Sequence, residues 1–226
     1  MVSLLNRLTK SPPIDIYDPN LELYLPLYDH TMGVSPFISK DLSHHTATAT
    51  GATWGIQGRT FDGIDDGISI PDAASLDIAG AITVGGWIKT NTAGQTVGTI
   101  VRKGIQFASQ SNYGINIYED TRCFFEFWTG TVRKTIEVDT ALSVGTWYFL
   151  VGVYDGTFQR IYRQGVEDAT PINLGSVVLD VDATALRIGR DDVYFGKTTV
   201  GAVWLYNQAL SAAQIQRIYL ATKFRY

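Results

Sequence analysis

Acid–base, nucleophilic and metal chemistry all need carboxylates, histidines or thiols held close together, and this sequence gathers such groups at few places. Glu119-Asp120 with Glu126 is the nearest approach to a catalytic acid pair. Retaining glycoside hydrolysis requires two carboxyl groups about 5–5.5 Å apart. Glu119 and Glu126 fall on opposite faces if one strand continues through both, and a turn is expected to separate them. The three histidines, His30, His44 and His45, all precede residue 50 in polar segments, and no Gly-x-Ser-x-Gly nucleophile motif occurs. The expectation is a protein that is not an enzyme.

Two other clusters suit binding. Asp62, Asp65 and Asp66 crowd one turn and offer the oxygen donors that a calcium ion takes. The same side chains serve equally to cap turns through backbone amides. Sugars stack on flat rings and hydrogen-bond to neighbouring polar groups. The candidate ligand contacts are Asn112, Tyr113, Tyr118, Arg122 and Trp128, with Asp191, Asp192 and Tyr194. Against this, a sandwich interior also consumes aromatic residues.

A chain of 226 residues, 45% hydrophobic and 18% charged, is long enough for one well-filled domain. Its net charge of −4 and scattered Lys and Arg argue against a nucleic-acid partner. No apolar run reaches the ~20 residues of a membrane span. The start lacks the basic region and cleavage site of a signal peptide. Cys123, the single cysteine, sits in an apolar run and reads as an inert buried thiol.

The elements that must position these residues are mostly strands. Leu21, Leu23, Leu25 and Leu27 alternate with period two. A loop is expected to follow through about residue 51. Strands are then expected over 59–62, 67–70, 82–89, 97–102, 113–118, 122–128, 132–138, 147–154, 158–163, 186–189 and 198–206. Asp155-Gly156 predicts a type I′ hairpin turn. One helix is expected over 212–220, with Ser211 and Gln214 as a capping box and Leu210 stapling onto Ile215. Residues 1–20 stand apart as an N-terminal arm before a domain of residues 21–226. Val2, Leu4, Leu5 and Leu8 line one helical face that Pro12-Pro13 ends. A frayed terminus and an arm folding onto a neighbouring subunit both satisfy that pattern.

Four stretches taken together carry a resemblance. They are Phe61-Asp62-Gly63-Ile64-Asp65-Asp66-Gly67-Ile68-Ser69-Ile70-Pro71 with Ser75-Leu76, and Ile82-Thr83-Val84-Gly85-Gly86-Trp87-Ile88-Lys89. Then come Gly145-Thr146-Trp147-Tyr148 through Val153-Tyr154-Asp155-Gly156 and Ile161-Tyr162, and Leu186-Arg187-Ile188-Gly189 with Val203-Trp204-Leu205-Tyr206-Asn207-Gln208-Ala209-Leu210-Ser211. In this order they resemble the laminin-G-like branch of the concanavalin A-like lectin/glucanase superfamily. The resemblance implies an all-β, two-sheet antiparallel jelly-roll sandwich with one short C-terminal helix. Trp87, Trp147 and Trp204 are expected between the sheets. The family's hydrolases carry a Glu-x-Asp-x-Glu strand, which is missing here. Its frequent calcium site is completed by an acidic pair on the last long strand, where this chain has Gly201 and Ala202.

Those implications favour a recognition module that binds a glycan or a protein surface. A structural virion protein, a capsid decoration or tail-associated component assembled through residues 1–20 as an oligomer or particle, is the rival expectation. It would put the chain on a virion surface. A glycoside hydrolase is the third reading and lacks its acid motif.

Overall fold

The computed structural model describes residues 14–93, 97–105, 112–118 and 121–226. The apolar face expected at residues 2–8 and the pair Glu119-Asp120 lie outside these. In chain order the strands begin β1 (Leu21–Leu25), β2 (Phe37–Ile38), β3 (Thr46–Thr50), β4 (Thr53–Gly55), β5 (Gly58–Thr60) and β6 (Gly67–Ile70). They continue with β7 (Ile82–Thr90), β8 (Val97–Lys103), β9 (Tyr113–Tyr118), β10 (Cys123–Thr129), β11 (Val132–Glu137) and β12 (Trp147–Tyr154). The last are β13 (Phe158–Arg163), β14 (Val166–Glu167), β15 (Ile172–Asn173), β16 (Leu186–Ile188) and β17 (Thr198–Tyr206), followed by helix α1 (Ala212–Thr222).

The strands form two antiparallel sheets. One runs β14-β13-β12-β7-β17-β5-β4, with β1 also on β17 and β15 on β13; the other runs β11-β10-β9-β8-β16-β6-β3-β2. The expected sandwich with one short C-terminal helix is the observed architecture. Its interior is filled from both inner faces, by Leu23, Leu25, Val84, Ile88 and Leu150 on one side and Ile68, Val101, Ile115, Phe125 and Ile188 on the other. Gly152 marks a close approach between the sheets. A Cβ there would lie 2.2 Å from Cγ of Phe125.

A second apolar cluster covers the outer face of the nine-stranded sheet, and here the structure corrects the sequence reading. Trp87 and Trp204 are buried, but beneath α1, with Phe149, Ile215 and Ile218, and Trp147 packs at the same cluster's edge. Alternation along β7 and β17 sends these rings away from the sandwich interior. The Trp87 ring stacks on Tyr226 at 4.5 Å, and its indole N–H donates to the Thr222 hydroxyl at 2.9 Å. That contact accompanies a helix running two residues past its expected end. The capping box at Ser211 and Gln214 is present as expected. Ile14 is buried in this cluster too, so the described end of the N-terminal arm packs against the sandwich.

Other expectations shift for local reasons. The segment before residue 51 is not a plain loop, because Thr46-Ala47-Thr48-Ala49-Thr50 alternates small side chains and pairs with β6. The hairpin at Asp155-Gly156 is not type I′. Only Gly156 has positive φ, at 95°, and Asp155 Oδ1 instead accepts from the amides of Thr157 and Phe158. That places Gly first of the two central residues, the type II′ arrangement. Among the described residues no helix is long and apolar enough to cross a membrane.

Because Phe125 fills the space above Gly152, Gly152→Ala overpacks the interior by about 1–3 kcal/mol. We expect the thermal midpoint to fall by roughly 5 °C and Phe125→Leu in the same chain to recover part of the loss. An unchanged midpoint in Gly152→Ala would show that the sheets are not this close.

Candidate functional site

The outward face of the eight-stranded sheet is polar, and its registers draw one straight line across it. Thr48 pairs with Ser69, Ser69 with Arg187, Arg187 with Arg102, Arg102 with Gly114, Gly114 with Glu126, and Glu126 with Thr135. Six inter-strand steps at about 4.8 Å make this row roughly 29 Å long. It arises from a period-two pattern in which Ile68, Leu186, Ile188, Val101, Ile115, Phe125 and Ile136 face the interior and their neighbours face out.

One half of the row is closed. Arg102 and Glu126 form an ion pair with neither side chain exposed. Arg102 reaches Glu126 across Gly114, where a Cβ would stand 3.0 Å from Arg102 Nη1. Arg133 pairs with the second oxygen of Glu126. Its guanidinium lies 5.1 Å over the Phe124 ring, which stacks on Tyr118 at 4.2 Å. Burial works against the Arg133 charge, but the Glu126 carboxylate outweighs it and holds the guanidinium above its usual value. Several buried polar atoms around this centre meet no hydrogen-bond partner among the described residues: both amide atoms of Asn112, Asn116 Oδ1, Trp128 Nε1, Thr99 Oγ1 and Thr135 Oγ1. Buried polar atoms are nearly always satisfied, so this closed half carries an unusual concentration of unpaired ones.

The other half is open. A cavity of about 220 Å³ lies between β3, β6 and β16, lined by Thr48, Thr50, Gly67, Ser69, Arg187, Arg190 and Asp192. Arg187 Nη2 pairs with Asp192 Oδ1 at 2.9 Å, while Arg187 Nη1 is buried without a hydrogen-bond partner. Arg190 runs over Gly67, where a Cβ would come within 2.3 Å of its Cδ, and its guanidinium sits 4.7 Å over Phe195. Gly67 therefore makes room for a side chain within a strand. Sequence reasoning missed Thr48, Thr50, Ser69, Arg187 and Arg190. The alternation of Thr46–Thr50 was the available signal.

The predicted ligand residues divide between the two halves. Asp192 lines the open cavity. Asp191 is buried, and its Oδ1 accepts from the amides of Val193 and Tyr194, each at 2.7 Å, shaping the turn that presents Asp192 and the half-buried Tyr194. Asn112, Tyr118 and Trp128 lie on the same face at its closed half, and Arg122 pairs with Glu137 at 3.2 Å nearby. Tyr113 turns the other way. It is fully buried in the interior and donates to the Leu76 carbonyl at 3.0 Å, which removes it from any ligand surface.

The acidic turn is self-contained. Oxygens of Asp62, Asp65 and Asp66 lie within 4.8 Å of one another. Asp62 Oδ1 already accepts from the Ile64 amide at 2.8 Å, and Asp66 Oδ2 from the Asp62 amide at 2.9 Å. Burial, with the charges of Asp62 and Asp65 adding to it, holds the Asp66 carboxyl above its usual range. On the last strand, a Cβ at Gly201 would meet the Tyr226 ring at 2.3 Å, so a carboxylate has no room there. The three carboxylates of the turn keep a spacing that could hold a metal ion, while Gly201 and Ala202 do not supply the acidic pair that the resemblance implied.

Comparisons with known proteins agree with this architecture. A family model described as the concanavalin A-like lectin/glucanases superfamily, of the laminin G kind, matches residues 62–216. Trypanosoma rangeli sialidase superposes with a TM-score of 0.68 at 14% identity, over 93% of this chain and 34% of that one. The botulinum neurotoxin serotype D ligand binding domain in complex with N-acetylneuraminic acid gives 0.68 at 14% identity, over 90% of this chain and 51% of that one. The chain thus spans about a third to a half of these structures. No curated protein sequence matches it.

Removing one member of a buried ion pair costs about 3–5 kcal/mol, whereas replacing both with apolar groups costs far less. Glu126→Gln is therefore expected to lower the thermal midpoint on the order of 10 °C, and Arg102→Met/Glu126→Met by clearly less. Equal losses in the two variants, read by calorimetry, would contradict the pairing.

Proposed function

The chain belongs to the concanavalin A-like lectin/glucanase superfamily, and from that premise we propose that it is a non-catalytic carbohydrate-recognition module whose ligand lies on the outward face of the eight-stranded sheet. The observation that carries this reading is the open cavity at one end of the polar row. There the Arg187–Asp192 ion pair stands beside three exposed hydroxyl side chains, those of Thr48, Thr50 and Ser69. A sugar offers adjacent hydroxyls that both donate and accept, and an Arg–Asp pair supplies charge-assisted partners for both. The cavity is smaller than the ~300–1,000 Å³ typical of drug-sized ligands, which suits one small polar unit with the rest of the ligand along the row.

Catalysis is not part of this reading. Glu126, the carboxylate at the centre of the face, is held by two guanidinium groups and has no second carboxylate opposite it in the registers of β9 and β11. The sugar-bound neurotoxin domain supports carbohydrate as the ligand class without fixing which sugar.

A second reading, packing against a protein or particle surface, draws on a different patch. Ile56 is 80% exposed and Phe224 86%, beside a cavity also lined by Tyr24, Tyr28 and Arg225. Exposed apolar patches of this kind mark contact surfaces. If the patch mediates assembly, light scattering will show a larger species that Ile56→Ser/Phe224→Ser reduces to a monomer. A monomeric parent chain sinks the second reading.

For the principal reading, a glycan array with neutral and sialylated members should return binding. Arg187→Met and Asp192→Asn should each weaken it at least tenfold, about 1.4 kcal/mol. Because this pair is partly exposed, the thermal midpoint should barely move. No reducing sugar should be released from the bound glycans. An array without binders, or variants that bind as the parent does, would contradict the assignment.

A further inference from the structure

Lys103 ends β8 with its side chain fully out of water, yet its ammonium is surrounded by oxygens from two separate loops. From the loop between β6 and β7 come Asp72 Oδ1 at 2.6 Å and Asp77 Oδ1 at 3.0 Å. From the loop before β16 come the carbonyls of Asp182 at 2.8 Å and Thr184 at 2.9 Å, with Asp182 Oδ1 farther off at 4.0 Å. An ammonium has three protons to give. Four oxygens stand within 3.0 Å of it, so one has no proton of its own. Three carboxylates also face a single positive charge. Carboxylates and backbone carbonyls in one shell, with negative charge in excess, are the donor set of a hard divalent cation rather than of an ordinary surface ion pair.

We propose that Asp72, Asp77, Asp182 and Thr184 form a cation site of the calcium type whose resident occupant is the chain's own Lys103 ammonium. The site ties together the loop that follows β6 and the loop that precedes β16. Asp72 follows Ser69 by one short step at the end of β6, and Thr184 precedes Arg187 at the start of β16. Lys103 is thus a positioning residue that holds these two loops together, without a free metal, at the strand ends away from Gly67 and Asp192. The inference stands on these distances and does not require carbohydrate to be the ligand.

The test compares thermal midpoints in EDTA and in millimolar calcium for the parent chain, Lys103→Ala and Lys103→Met, with terbium luminescence as a direct readout of metal binding. The parent should not respond to calcium. In EDTA, Lys103→Ala should lose on the order of 10 °C. Calcium should restore at least half of that loss, and terbium should bind. Lys103→Met should be destabilised and stay so, because its side chain fills the vacated space. The proposal is overturned if calcium leaves Lys103→Ala unchanged, if that variant fails to fold even with calcium, or if the parent or Lys103→Met responds as strongly.

Discussion

Arg102 and Glu126 meet across Gly114 with neither side chain exposed, and two charges taken out of water must be closely matched or the sheet cannot carry them. Everything on this face is arranged around that demand. A residue without a side chain stands between the partners. Arg133 supplies a second positive charge, and Asn116 donates to Glu126 at 3.4 Å. The pair fixes the registers of β8, β9 and β10, and through them the place of Arg187, which pairs with Arg102 in the next strand. The open cavity therefore rests on a rigid charged centre several strands away from its exposed rim.

The two faces of the sandwich use the same alternation for opposite ends. On the nine-stranded sheet the outward residues are Trp87, Phe149 and Trp204, and α1 covers them, so that surface is spent on packing. On the eight-stranded sheet the outward residues are mainly charged, polar or aromatic, and among the described residues no helix covers them. That asymmetry leaves one sheet face packed under a helix and the other polar.

Much of this was legible in the sequence, and the remainder was hidden for physical reasons. Strand β1 announces itself by leucines at period two, β7 and β17 by long apolar runs, and α1 by its capping box. Alternation says that two faces exist but not which is interior. Both faces of β7 and β17 are apolar, which is why the tryptophans were placed in the wrong layer. The candidate site was half legible. Asp192 and the residues of β9 and β10 stand out as polar or aromatic types in strand runs. Thr48, Ser69 and Arg187 do not, because nothing local to residues 48, 69 and 187 reveals that three distant strands lie side by side. The missing acidic pair of the calcium set was legible at Gly201 and Ala202, whereas the Tyr226 ring over Gly201 was not.

The most direct measurement of the central claim is amide chemical-shift mapping of the labelled protein titrated with a bound glycan. The account predicts that perturbed amides cluster on β3, β6 and β16 around Thr48, Ser69 and Arg187 and spread along the row toward Glu126. Perturbations confined to α1, to the acidic turn at Asp62, or to the outer face of the nine-stranded sheet would contradict it.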